Sequence, residues 1–197
     1  RDTPEVIEFV NRMITFVVSV AVAAAVLGSR WRTPRRRDLV LLSWGLVAGV
    51  VGQIVLGGVT VLMELNPVPV MGHFLLSMVL VATAVVLHHR AGEPDEGRRV
   101  PAEAPSTMRA GWVMVGLATL VLGVGTAVTG SGPHGGDPEV ERLDLAIHAV
   151  VRAHSVSAWL LTAALLVVMA RTRRGWPVAL AVGAQIALGY VQYAQGV

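Results

Sequence analysis

Four places in this sequence set chemically capable residues within long apolar stretches. They are Glu8, Asn11 and Arg12; His73 with Ser77; Arg152 with His154; and the glycines Gly57, Gly58, Gly123 and Gly125. A charged side chain at the centre of a membrane helix costs roughly 2.5–3.5 kcal/mol on insertion scales, so each such residue needs a reason to be there. On a helix Glu8 and Asn11, three apart, share a face with Thr15. That patch could handle a proton or stabilise a developing cation. His73 and His154 offer neutral imidazole, a suitable axial ligand for haem iron, and inward-facing histidines are a common way to hold haem inside a helix bundle.

Each of these readings has a plainer alternative. A histidine near a helix end is often an interfacial hydrogen-bonding group, and spacing alone leaves His73 and His154 open between the two roles. Glu8 could be an end-of-helix carboxylate paired with Arg12. Arg12 and Arg152 either snorkel outward or pair with anionic groups such as haem propionates. The four glycines serve either close helix packing or the approach of a flat macrocycle. His148 lies six residues before His154 and so on a different face. His88 and His89 adjoin Arg90 at a helix end, which suits a solvated, dipole-complementing role. His134 sits among glycines and prolines, as a surface residue would.

The elements that position these residues follow from composition. The chain has 197 residues, 54% of them hydrophobic and 15% charged, against about 25% charged in a soluble domain. Mean hydropathy is +0.63. The apolar residues fall into blocks long enough to cross a bilayer as helices: 6–27, 39–62, 70–87, 110–128, one within 143–170, and 178–195. The expected fold is an all-α polytopic membrane bundle, and the lack of short alternating strands argues against a β-barrel. With no cysteine, there is no disulfide, thiolate metal site or Cys-linked haem. The opening Arg1-Asp2-Thr3-Pro4-Glu5 lacks the features of a signal peptide and reads as a loop entering a helix.

Arginine sets the expected topology. Arg30, Arg32, Arg35, Arg36 and Arg37 follow the first span, Arg90, Arg98, Arg99 and Arg109 the third, and Arg171, Arg173 and Arg174 the fifth. Under the positive-inside rule these loops are cytoplasmic, with 64–67 and 130–142 outside. Each arginine run abuts a span and, apart from Trp31 between Arg30 and Arg32, has no interleaved aromatics, which argues against nucleic acid as a partner. The polar stretch 89–109 reads as a flexible linker. It divides the chain into halves, 1–88 and 110–197. A repeat links them: Gln53-Ile54-Val55-Leu56-Gly57, Thr119-Leu120-Val121-Leu122-Gly123 and Gln185-Ile186-Ala187-Leu188-Gly189, with glycines evenly spaced. In the first two cases an outer turn and a histidine-bearing inward helix follow, and the pattern anticipates another inward helix after Val197.

The stretch Gln53-Ile54-Val55-Leu56-Gly57-Gly58-Val59-Thr60-Val61, with Leu65-Asn66-Pro67 and His73-Phe74-Leu75-Leu76-Ser77, resembles bacterial haem A synthases, particularly actinobacterial ones. So do Gly125-Thr126-Ala127-Val128-Thr129-Gly130, Arg152-Ala153-His154 and Gly189-Tyr190-Val191-Gln192-Tyr193. The resemblance spans the second to seventh of that family's eight helices. It implies two pseudo-repeated four-helix halves in a bacterial plasma membrane, one binding substrate haem O and the other a haem b cofactor. The implied reaction oxidises a haem O methyl to a formyl group, giving haem A for terminal oxidases. Haem O synthase and cytochrome oxidase assembly factors are implied partners, and a homo-oligomer is compatible with it.

Carried over, Glu8 matches a catalytic glutamate, His73 the substrate-half histidine and His154 the cofactor-half histidine. Asn11 departs from the family, standing where many members have histidine. A carboxamide is a poor ligand for haem iron, which argues against paired histidine ligation in that half. The family's outer-loop cysteine pair is also absent. Two other classes compete: a di-haem, cytochrome b-like quinol or electron-transfer protein without haem-modifying activity, and a repeat-built transporter. The transporter would be expected to show a helix broken at mid-membrane.

Overall fold

The computed structural model describes residues 3–95, 104–132 and 140–195; at the start of the first helix the side chains of residues 3–5, 7, 8 and 11 lie outside the description. Among the described residues six helices follow one another: α1 (Thr3–Trp31), α2 (Arg37–Leu62), α3 (Pro67–Ala91), α4 (Pro105–Ser131), α5 (Ile147–Thr172) and α6 (Trp176–Ala194). All six carry a stretch long and apolar enough to cross a membrane. The protein is therefore an all-helical, multi-pass membrane protein, as its composition implies. Most helices run past the apolar blocks because their polar ends continue the backbone ladder beyond the hydrocarbon.

The packing is that of a lipid-facing bundle. Among the described residues the buried set is small and largely polar: Leu39, Leu46 and Leu165 with Ser29, Ser43, Thr107, Thr126 and Ser157. Valine, leucine, phenylalanine and tryptophan side chains instead cover the outside. Lipid tails solvate such groups as well as a core does, so association relies on small residues that let backbones approach and on polar contacts between helices.

The helices form two compact units, Arg1–Val59 with Gly72–Arg98, and Thr60–Met71 with Arg99–Val197. In the first unit Ser29 and Ser43 join α1 to α2 through their hydroxyls at 2.9 Å. Gly49, Gly52 and Gly57 of α2 face Leu80, Leu76 and His73 of α3 in antiparallel order. A methyl on Gly49 would collide with Leu80, and one on Gly52 would lie 3.0 Å from Leu76. In the second unit α4 packs along α5 and α5 meets α6. Gly130 closes this unit locally, because its missing side chain leaves room for Pro67, Met71 and Leu143.

Both ends of the stretch expected to be a flexible linker, 89–109, are helical, and residues 96–103 lie outside the described residues. His89 and Arg90 complete α3, and Pro105 begins α4 as an N-terminal proline, where its missing N–H costs nothing. The first residues after α3 are tied down. Arg32 donates to Asp95 at 2.7 Å and to the Ala91 carbonyl at 3.0 Å. Arg36 donates to Asp38 at 2.8 Å and to the Glu93 carbonyl at 3.2 Å. Its hydrogen bond to Asp38, with the charges of Asp38, Glu93 and Asp95 adding to it, holds Arg36 above its ordinary value, so it stays charged throughout the accessible pH range.

Candidate functional site

A short turn determines where His73 sits. The C-terminus of α2 closes through Leu65 N–H to the Thr60 carbonyl at 2.9 Å, with Glu64 and Leu65 in the left-handed region at φ 50 and 62. Asn66 then accepts a hydrogen bond from the Val68 N–H at 3.0 Å. That is a side-chain cap on α3, with Pro67 as its first residue. His73 lies six residues beyond Pro67, about 9 Å of helix rise, on the face turned to α2.

At that level the α2–α3 contact is polar. Gln53 Nε2 donates to Ser77 Oγ at 2.6 Å and to the His73 carbonyl at 3.1 Å, and Ser77 Oγ donates to the same carbonyl at 3.0 Å. The imidazole of His73 lies over Gly57, whose absent Cβ would be 3.5 Å from Cε1 and 3.9 Å from Nδ1. Nδ1 of His73 and Oε1 of Gln53 are both buried without a hydrogen-bond partner. Sequence reasoning assigned Gln53 no role. Its signal was the placement of a lone amide one turn before Gly57 and a serine one turn after His73, which brings both onto one interhelical face.

His154 occupies a comparable place in the second unit, seven residues into α5 from Ile147 and about 10.5 Å along it. Its ring lies over Gly125 of α4, where a Cβ would stand 3.0 Å from Cε1 and 3.3 Å from Nδ1. Nδ1 is again buried without a partner. The carbonyl of His154 accepts from Ser157 at 2.8 Å, within the same helix. On its other flank α5 meets α6, where Trp159 donates to Tyr190 at 3.1 Å. His148 is exposed, as its different helical face suggested.

The remaining candidates divide sharply. Arg12 and Arg152 have exposed side chains on α1 and α5. Glu8 and Asn11 belong to α1, but their side chains lie outside the described residues, as does His134 altogether. Gly58 and Gly123 have open space where a side chain would go. The evenly spaced glycines of the repeat are thus not equivalent: Gly57 meets its histidine, whereas in the second unit Gly125 does so in place of Gly123. Linear spacing does not fix how far a helix is rotated against its neighbour.

A cleft of about 700 Å³ opens between α1, α2 and α3, walled by Val22, Leu46, Val50, Leu80 and Leu87 with Arg32 and His88 at one end. Along α3 it comes no nearer His73 than Leu80, about 10 Å of helix rise away, so it does not define the histidine site. Among the described residues no three His, Asp or Glu side chains converge on a point where a bare metal ion would be held. A metal carried in a macrocycle makes a smaller demand on the protein, because one axial imidazole and a flat, closely approachable wall suffice to begin holding it. His154 provides one such imidazole, set against Gly125 of the neighbouring helix with its Nδ1 buried.

Fold and site together define a multi-pass helical membrane protein that carries, in each compact unit, one inward imidazole lying on a glycine of the neighbouring helix. The family model described as cytochrome oxidase assembly protein, COX15-CtaA, matches residues 3–133, more than half of the chain, and the chain belongs to that family. None of the curated proteins matches it, nor does any solved structure.

Proposed function

We propose that the chain contains the working centre of a haem A synthase, which oxidises a methyl group of haem O to a formyl group by successive hydroxylation and loss of water, the electrons removed passing to an acceptor outside the chain. The observation that carries this reading is the paired histidine-on-glycine arrangement, His73 over Gly57 and His154 over Gly125, in a member of the cytochrome oxidase assembly family. In this reading the first unit takes haem O as substrate and the second holds haem b. The membrane is the bacterial plasma membrane, and the arginine-bearing loops face the cytoplasm.

The residues then have distinct tasks. His154 would hold the haem b iron, with Gly125 giving its ring a place against α4. Bound there, haem b supplies one-electron transfer, at a potential set by its ligand and by burial. His73 presents its imidazole to the substrate, and Gln53 and Ser77 hold the turn that carries it. Glu8 handles a proton or stabilises positive charge developing at the methyl carbon, since a carboxylate in a low-dielectric site acts strongly on nearby charge. Arg12 and Arg152 meet propionates as charge-assisted donors.

An absorption spectrum with pigment extraction from cells making the whole protein tests the reading. Haem b with haem A is the expected content. Haem b alone, with porphyrin methyls unchanged during turnover, would make the protein a di-haem electron carrier instead.

A further inference from the structure

The hydrogens around Gln53 can be counted. The His73 carbonyl can only accept, so the Gln53 amide must turn its nitrogen toward α3, and its two hydrogens are taken up by that carbonyl and by Ser77 Oγ. Ser77 spends its own proton on the same carbonyl. This leaves Gln53 Oε1 as a pure acceptor, buried and unmatched. The only other side-chain atom in the same state on this α2–α3 contact, among the described residues, is Nδ1 of His73. An imidazole nitrogen can be a donor, and leaving two such groups buried and unpaired is costly when one proton between them would satisfy both.

We propose that Gln53 is a positioning residue for His73. Its amide nitrogen clamps the turn of α3 that carries the imidazole, and its Oε1, which meets no protein donor, accepts the Nδ1 proton through one bridging water, so that Nε2 is the nitrogen offered to a ligand. Which ring nitrogen of a histidine bears the proton is set by the hydrogen bond the other makes, and metal-ligating histidines as a rule donate their second N–H to an oxygen. The inference rests on the reading of His73 as a haem-facing residue, and it adds a specific residue that fixes the tautomer.

The test uses the whole protein in detergent, in a His154→Ala background so that added haemin reports on the first unit. Three variants are compared with that parent: Gln53→Leu, Gln53→Glu and His73→Ala. Gln53→Leu should weaken haemin binding about 10- to 100-fold, the range found when an outer partner of a metal ligand is removed. Gln53→Glu keeps the acceptor but loses both donors and sets a carboxylate against the His73 carbonyl, so it should lose some affinity, clearly less than Gln53→Leu, and lower the reduction potential of the bound haem. A residue that merely clamps the backbone would give the opposite result, with Gln53→Glu as damaging as Gln53→Leu. Nitrogen NMR of the haem-free protein gives a second readout: His73 should be held as the Nδ1–H tautomer in the parent and become a mixture in Gln53→Leu. Parent-like binding and a single tautomer in Gln53→Leu would overturn the role of Gln53 alone. Unchanged haemin binding in His73→Ala would remove His73 from the haem site and the inference with it.

Discussion

His73 and His154 are placed alike and supported differently. Each lies in the early turns of its helix, each faces a glycine of the preceding helix, and each buries an unpartnered Nδ1. At His73 the support comes from a neighbouring helix, because Gln53 of α2 bonds the histidine's own carbonyl. At His154 the corresponding carbonyl is met by Ser157 of the same helix, while the ring presses more closely on its glycine. The backbone of one histidine is held by a hydrogen bond from the neighbouring helix, whereas the ring of the other packs more tightly on its glycine. In the proposed function the difference would suit a substrate that enters and leaves one unit while a cofactor stays in the other.

The largest expected effect falls on the second unit. His154→Ala should abolish retention of haem b in the full-length protein, whereas His148→Ala, on an exposed side chain, should leave the haem content close to normal. Stoichiometry from the reduced spectrum of purified protein checks both. If His148→Ala strips the haem and His154→Ala keeps it, the wrong histidine has been assigned.

Glu8→Gln should strike the first unit and spare the second. An exposed pair with Arg12 would be worth 1 kcal/mol or less and its loss would hardly register. A carboxylate acting on the substrate contributes on the scale of about 2.7–4 kcal/mol, so its removal should slow haem A formation roughly a hundred- to a thousandfold with haem b content intact. Extracted porphyrins at matched protein level decide between the two. Haem O, or a partly oxidised haem, should accumulate in the variant, and a normal haem A yield would reduce Glu8 to a structural residue.

How much of this was legible in the sequence differs between fold and site. The six helices follow from length and apolarity alone, because a membrane leaves few alternatives to a hydrogen-bonded helix. Their ends were less legible. The arginines of the α1–α2 connection pair with Glu93 and Asp95, residues about sixty positions away, and so tie down the start of what reads locally as a flexible polar linker. Both histidines stand out as polar residues in apolar stretches. Gln53 does not, since its importance depends on α2 being rotated to bring it opposite Ser77. The rotation of α4 against α5 likewise explains why the repeat points to Gly123 when Gly125 is the residue beneath the ring.

The smallest expected effect is also the one that probes the comparison most directly, because it alters a single methyl group in each unit. At Gly57 an added Cβ would stand 3.5 Å from the His73 ring, an ordinary van der Waals contact that needs no adjustment. At Gly125 it would stand 3.0 Å from Cε1 and 3.3 Å from Nδ1 of His154, so the ring must yield by a few tenths of an ångström. Neither glycine has a positive φ, so the backbone accepts alanine at both and only the ring contact distinguishes them. Gly57→Ala should therefore leave haemin affinity in the first unit within about twofold, a change of about 0.4 kcal/mol or less. Gly125→Ala should weaken haem b retention several-fold and broaden its spectrum as the displaced imidazole tilts, on the order of 1 kcal/mol. Equal tolerance at both positions would mean that α5 shifts as readily as α3, and the contrast between the two histidines in how tightly the ring packs on its glycine would then fail.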